Sequence, residues 1–232
     1  MFAALKNSPE KKPAGTKKRL LQMYGRLDRF FGDLHWWPGE SPFEVCVGAI
    51  LTQNTNWSNV EKAIGRLKAE RVLDPLALFG LRDETLADLI RPSGYFRVKT
   101  KRLKAFLEVL CSEFAGDVER MLSGDLLPTR RRLLEIPGIG EETADSMLLY
   151  AGGRPVFVVD AYTRRILVRH GFLGGNPSYG EIQRLFMTHL LPDADLYNQY
   201  HALIVQTGKR YCRKDPDCGE CPLRRMKRER KG

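Results

Sequence analysis

The stretch Leu133-Leu134-Glu135-Ile136-Pro137-Gly138-Ile139-Gly140-Glu141-Glu142-Thr143-Ala144 places two glycines, two residues apart, between segments of helical pattern. Glycine lets the backbone turn tightly, and the missing Cβ lets amide N–H groups approach a phosphate at the start of the following helix. Contacts of this kind ignore base sequence and seat a protein on a duplex. An ordinary helix–helix turn is the bland alternative. An apolar-Pro-Gly-apolar-Gly turn is much rarer than that, and a basic chain around it favours the phosphate reading for Gly138 and Gly140.

Outward from this turn, apolar residues recur at spacings of three and four from Leu20 onward, and no segment alternates with period two in strand-type composition. The pattern predicts an all-α fold with helices near 17–31, 42–52, 57–69, 75–79, 83–90, 96–114, 117–122, 128–135, 141–151, 159–170, 178–190 and 195–210. Ser41-Pro42 supplies a cap and a first-turn proline, Pro92-Ser93-Gly94 breaks the chain before Tyr95, and Gly174-Gly175-Asn176-Pro177 marks a later turn. Short helices with tight connections indicate an orthogonal bundle rather than long parallel rods.

The 232 residues carry a formal charge of +10 and a pI near 9.5, which calls for a polyanionic partner: nucleic acid or an acidic membrane face. The apolar runs fall short of the roughly 20 residues that span a bilayer, so the chain reads as soluble. The opening MFAALKNSPEKKPAGTKKR lacks the apolar core of a secretory signal, and residues 1–18 are expected to be a flexible basic arm. Of five cysteines, Cys46 and Cys111 stand alone in apolar helical patterns, while Cys212, Cys218 and Cys221 crowd the C-terminus. An odd count without an export signal argues against a disulfide framework and for a reducing compartment, hence a cytoplasmic, nucleoid-associated setting.

One helix after the hairpin comes Gly152-Gly153-Arg154-Pro155-Val156-Phe157-Val158-Val159-Asp160, an apolar stretch delivering one carboxylate to the start of a new helix. Taken alone, Asp160 reads as a helix cap. Following a phosphate-binding hairpin, it is also placed to lie beside a base extruded from the stack.

Together with Gly48-Ala49-Ile50-Leu51-Thr52-Gln53-Asn54-Thr55, Arg91-Pro92-Ser93-Gly94-Tyr95-Phe96 and the C-terminal cysteines, these motifs resemble the helix-hairpin-helix DNA glycosylase superfamily typified by endonuclease III. The resemblance runs from about Leu20 and implies that fold, duplex DNA with damaged bases as partner, and Asp160 as the essential carboxylate. A carboxylate suits the task, because N-glycosidic cleavage passes through an oxocarbenium-like state. Bifunctional members carry a lysine two residues after the second hairpin glycine; here that position is Glu142, which cannot form the imine that leads to strand cleavage. The resemblance therefore implies a monofunctional, water-using enzyme. The run Trp36-Trp37-Pro38 and the segment to Trp57 look closest to the 3-methyladenine glycosylase branch. Trp36, Trp37 and Trp57 become candidates for a pocket that stacks on electron-poor alkylated purines, with core packing as the alternative for each. Gln53 and Tyr95 match the positions that enter the duplex where the base leaves. Arg91, Arg97, Lys99, Lys101 and Arg102 suit phosphate contacts or a solvated basic face.

The resemblance assigns a 4Fe-4S cluster to Cys212-x5-Cys218-x2-Cys221. The first spacing is one residue short of the usual pattern, and Lys227 stands where a fourth cysteine is expected. A cluster with an unusual fourth ligand, a zinc site and a metal-free relic all fit three cysteines, with the cluster favoured. The tail Arg224 to Lys231 adds phosphate affinity in each case.

The expected arrangement is a central helical domain over 35–150 and a second domain from 19–34 and 151–232, with Asp160 in the cleft and the protein acting as a monomer. Two rival readings are an endonuclease III-type glycosylase/lyase on oxidised pyrimidines or mismatched bases, and a non-catalytic protein that binds damaged DNA.

Overall fold

A computed structural model describes residues 13–36 and 39–226; all its regular elements are helical. Among the described residues, twelve α-helices run in order: α1 Pro13–Phe31, α2 Pro42–Leu51, α3 Trp57–Ala69, α4 Pro75–Gly80, α5 Asp83–Leu89, α6 Phe96–Phe114, α7 Val118–Leu122, α8 Leu126–Glu135, α9 Glu141–Ser146, α10 Ala161–Arg169, α11 Tyr179–His189 and α12 Ala194–Arg210. A 3₁₀ turn, Arg91–Ser93, leads into α6, and a π turn, Met147–Ala151, continues α9.

The expected all-α architecture holds, and most helix ends fall within two residues of expectation because their caps are local. Ser41, Asn56, Asp74 and Ser178 each accept a backbone N–H at a helix start, Ser178 within a full capping box with Glu181. Two starts differ. α1 begins at Pro13, so residues 13–18 of the expected arm are helical, while residues 1–12 lie outside the described part. α8 begins at Leu126, before Pro128 rather than on it; a proline in the first turn removes no intrahelical bond.

The chain divides into two units. The first comprises residues 1–34, 159–192 and 200–232; the second comprises 35–158 and 193–199. The second is organised on α2, buried from Phe43 to Leu51 and packed against α3, α6, α9 and the π turn. In the first, Tyr200 lies edge-on to Tyr24 and Phe186, and its hydroxyl donates to the Leu20 carbonyl at 2.8 Å. Arg19 donates to the carbonyls of His170 and Gly171 with its guanidinium over Phe172, closing the turn after α10.

Candidate active site

The hairpin is held from behind. Arg130 on α8 makes a two-pronged ion pair with the fully buried Asp145 on α9, at 2.7 and 3.0 Å, locking the two helices that flank the turn. Gly138 has φ +89, and a Cβ there would lie 2.3 Å from Cγ of Arg102. Glycine at 138 is thus required twice, by the backbone and by the arginine stem. Gly140 is different: its φ is −93, and a Cβ would meet nothing within 4 Å. The fold does not demand that glycine, and its bareness leaves the start of α9 open.

Gln53 donates to the Gly138 carbonyl at 3.1 Å and to Thr143 Oγ1 at 2.9 Å, and accepts from Arg102. Its amide is therefore latched onto the hairpin. Tyr95 stands out from the surface, 72% exposed in a left-handed conformation at φ 46, just before α6. A non-glycine residue there is uncommon and is held by the preceding Gly94 turn. Arg91 and Arg97 are exposed, but Lys99 is corrected: it is 1% exposed and reaches no phosphate. Its ammonium donates to the Leu51 carbonyl at 2.8 Å and the Ser93 carbonyl at 2.6 Å, capping the ends of α2 and of the 3₁₀ turn at once. Burial, with Arg102 nearby, lowers its pKa to about 8. Lys99, Leu103, Phe106 and Leu110 share one helix face, so the periodicity contained this signal.

Asp160, in the first unit, caps α10. Its Oδ1 accepts from Thr163 N at 2.7 Å and Thr163 Oγ1 at 2.8 Å, which fixes the side chain at the start of α10. Its Oδ2 lies 3.8 Å from His201 Nε2, and the side chain keeps 12% exposure. Burial depresses the His201 pKa, partly offset by the Asp160 charge, so the ring favours its neutral form. α10 and α12 meet closely here because Tyr162 packs where a Cβ of Gly208 would stand. Neither Thr163 nor His201 was a sequence candidate; Thr163, three residues after a cap, carried a local signal.

Residues 47–192 match the profile of the HhH-GPD superfamily of base excision DNA repair proteins. The chain belongs to the HhH-GPD superfamily. It is 44% identical over 207 residues to the Methanocaldococcus jannaschii protein named "Putative DNA repair glycosylase MJ1434", covering 88% of this chain and 94% of that one. A trapped endonuclease III–DNA covalent intermediate aligns with a TM-score of 0.77 at 25% identity, over 89% of this chain and 93% of that one. The H. pylori 3-methyladenine DNA glycosylase bound to 1,N6-ethenoadenine aligns at 0.70 and 26% identity, over 84% and 97%. This HhH-GPD chain is a DNA glycosylase of base excision repair, and DNA is its partner.

Other site positions of the HhH-GPD chain are as follows. Glu142 is exposed in the first turn of α9, where a negative charge suits the helix dipole. Trp57 is half-buried at the start of α3, its ring edge facing Gly48. Trp36 is half-buried, and its carbonyl accepts from Asn198 at 3.3 Å. Trp37 lies outside the described residues. Sequence reasoning missed Tyr197, which is fully buried against Phe157 with a hydroxyl that has no hydrogen-bond partner among the described residues.

Among the described residues, the C-terminal loop does not gather the donor set of a 4Fe-4S cluster. Cys212, Cys218 and Cys221 form no disulfide, and no three His, Cys, Asp or Glu side chains among the described residues gather as a metal-holding group. Instead Arg169 donates to Cys212 Sγ at 3.2 Å and to the carbonyls of Arg213 and Lys214, while Arg165 donates to the Cys212 carbonyl at 2.6 Å. The Cys212 sulfur is thus engaged by a guanidinium. These residues do not fit the cluster implied by resemblance. Lys227 lies outside the described residues. Among the described residues, no helix is long and apolar enough to cross a membrane.

Proposed function

We propose that this glycosylase is monofunctional: it hydrolyses the N-glycosidic bond of an extruded base, most favourably an alkylated purine, and leaves the strand intact. The observation that carries this reading is Glu142, an exposed carboxylate at the position where bifunctional members place the imine-forming lysine. Asp160 then supplies the chemistry. Thr163 anchors Oδ1, and Oδ2 is the atom that faces the sugar, stabilising positive charge as the base departs and taking the proton of the attacking water. His201, held neutral by burial, adds no competing positive charge to that site. Gly138 and Gly140 seat the phosphates, while Tyr95 and Gln53 fill the space the base vacates, Gln53 after leaving its hairpin latch. Arg97 joins in backbone contact.

The purine preference rests on Trp36 and Trp57 as stacking surfaces, with Trp37 beside them in sequence, and on the likeness to a 3-methyladenine glycosylase. The rival reading draws on the likeness to an endonuclease III captured as a covalent intermediate, which would require another lysine as nucleophile. Borohydride treatment during turnover on alkylated and oxidised duplexes separates the two. Released alkylpurine without a protein–DNA adduct supports the proposal; a robust adduct contradicts it.

A further inference from the structure

A hollow of about 540 Å³ opens on the second unit, between α3 and the 3₁₀ turn. Lys62 and Arg66 reach it from α3 and Arg91 from the turn, while Gly65, Ala69 and Pro92 form the rest of the wall. Its lining contains no carboxylate. Lys62 and Arg66 stand at i and i+4, an arrangement that repels by a few tenths of a kcal/mol on an isolated helix, and Arg91 adds a third positive charge. Lys68, two residues beyond Arg66, pairs with Glu40 and Glu44 at 2.9 Å each, so those two acids are committed on another face of α3. None of the three lining cations has an ion pair among the described residues.

Both arginines are steadied from outside the hollow. Arg66 donates one N–H to the Asp88 carbonyl at 3.4 Å, and the Arg91 guanidinium lies 5.8 Å from the centre of the Phe96 ring. Each guanidinium keeps further donors to offer, at reduced entropy cost because one edge is already placed. Gly65 keeps the floor open, since a Cβ there would meet nothing within 4 Å. The turn that carries Arg91 runs directly into Gly94 and the projecting Tyr95.

We propose that this hollow is a second phosphate seat, taking a backbone phosphate of duplex DNA independently of the Gly138–Gly140 hairpin. It rests on the chain binding DNA and not on which base is released. Three cations that line one hollow and have no ion pair among the described residues are matched by a phosphodiester, and seating one beside the Tyr95 turn would fix that turn against the duplex.

The test is equilibrium binding of the full chain to an undamaged duplex over a range of salt concentrations, with a triple Lys62→Gln, Arg66→Gln, Arg91→Gln variant. The control is a triple of Arg71→Gln, Arg82→Gln and Arg120→Gln, exposed residues with the same charge removed. The slope of log K against log salt is expected to fall by about 1 in the first variant, the release of roughly one phosphate contact, with about tenfold weaker binding. The control should keep the wild-type slope. An unchanged slope in the first variant overturns the proposal, and so does an equal loss in both variants, which would reduce the effect to overall charge. Unchanged thermal midpoints establish that both variants fold. Base release, assayed separately on damaged DNA, reports on the proposed chemistry whatever the slopes show.

Discussion

Replacing Lys99 with methionine isolates an interaction on which two loops depend. The ammonium is buried and joins the end of α2, which leads to Gln53, to the end of the 3₁₀ turn, which leads to Tyr95. At neutral pH two effects oppose each other in the variant. Orphaning two buried carbonyls costs about 1–3 kcal/mol each, while removing a buried charge returns roughly 3 kcal/mol, so the net change is small. The pH dependence is not small. The unfolded chain holds the Lys99 proton up to about 10.5, whereas the folded chain releases it near 8. Between those values the unfolded state binds more protons, so this group raises stability as pH rises, by about 3 kcal/mol in all. Below pH 8 both states are protonated and the gain is absent. Urea denaturation of wild type and Lys99→Met at pH 7.5 and pH 10 should show the wild type gaining most of that 3 kcal/mol relative to the variant. A difference that stays flat with pH would refute the buried, carbonyl-bound ammonium.

Three further outcomes follow from the same geometry. Gly138→Ala forces a Cβ at φ +89 into the Arg102 stem, so it should destabilise the protein by about 2 kcal/mol and weaken duplex binding; an unchanged melting curve would contradict that. Tyr197→Phe deletes a buried hydroxyl without a partner and should stabilise the fold by about 1 kcal/mol in chemical denaturation, a loss being the contrary result. Purified protein should be colourless and low in iron, with a melting point indifferent to chelators, because arginines close the cysteine loop; a brown preparation with stoichiometric iron would overturn this.

Much of this architecture was legible locally. Helix starts at Ser41, Asp74 and Ser178 and the hairpin at Gly138 are written within a few residues of where they act, so pattern and capping chemistry located them. Asp160 was legible for the same reason, since its cap to Thr163 spans three residues. What depended on distant partners was not. The helix periodicity places Lys99 on the buried face of α6, but its acceptor at Leu51, 48 residues away, was beyond local reading. His201 meets Asp160 only because α10 and α12 close over Gly208, and Tyr197 reads as one more apolar helix residue. The π turn after α9 was merged with its helix, since both share the same apolar face until Met147. The cysteines are a different case: their spacing announces a metal loop, while the hydrogen bonds that Arg169 and Arg165, more than 40 residues upstream, make to Cys212 could not be read from it.

The central claim, hydrolysis by Asp160 without an imine, is tested most directly by one measurement: borohydride trapping and base release followed together on a methylated duplex, for wild type and Asp160→Asn. The account predicts that wild type releases alkylpurine with no covalent adduct and that Asp160→Asn, folded and still binding DNA, loses release by at least about a hundredfold. A trapped protein–DNA adduct, or undiminished release by Asp160→Asn, would contradict it.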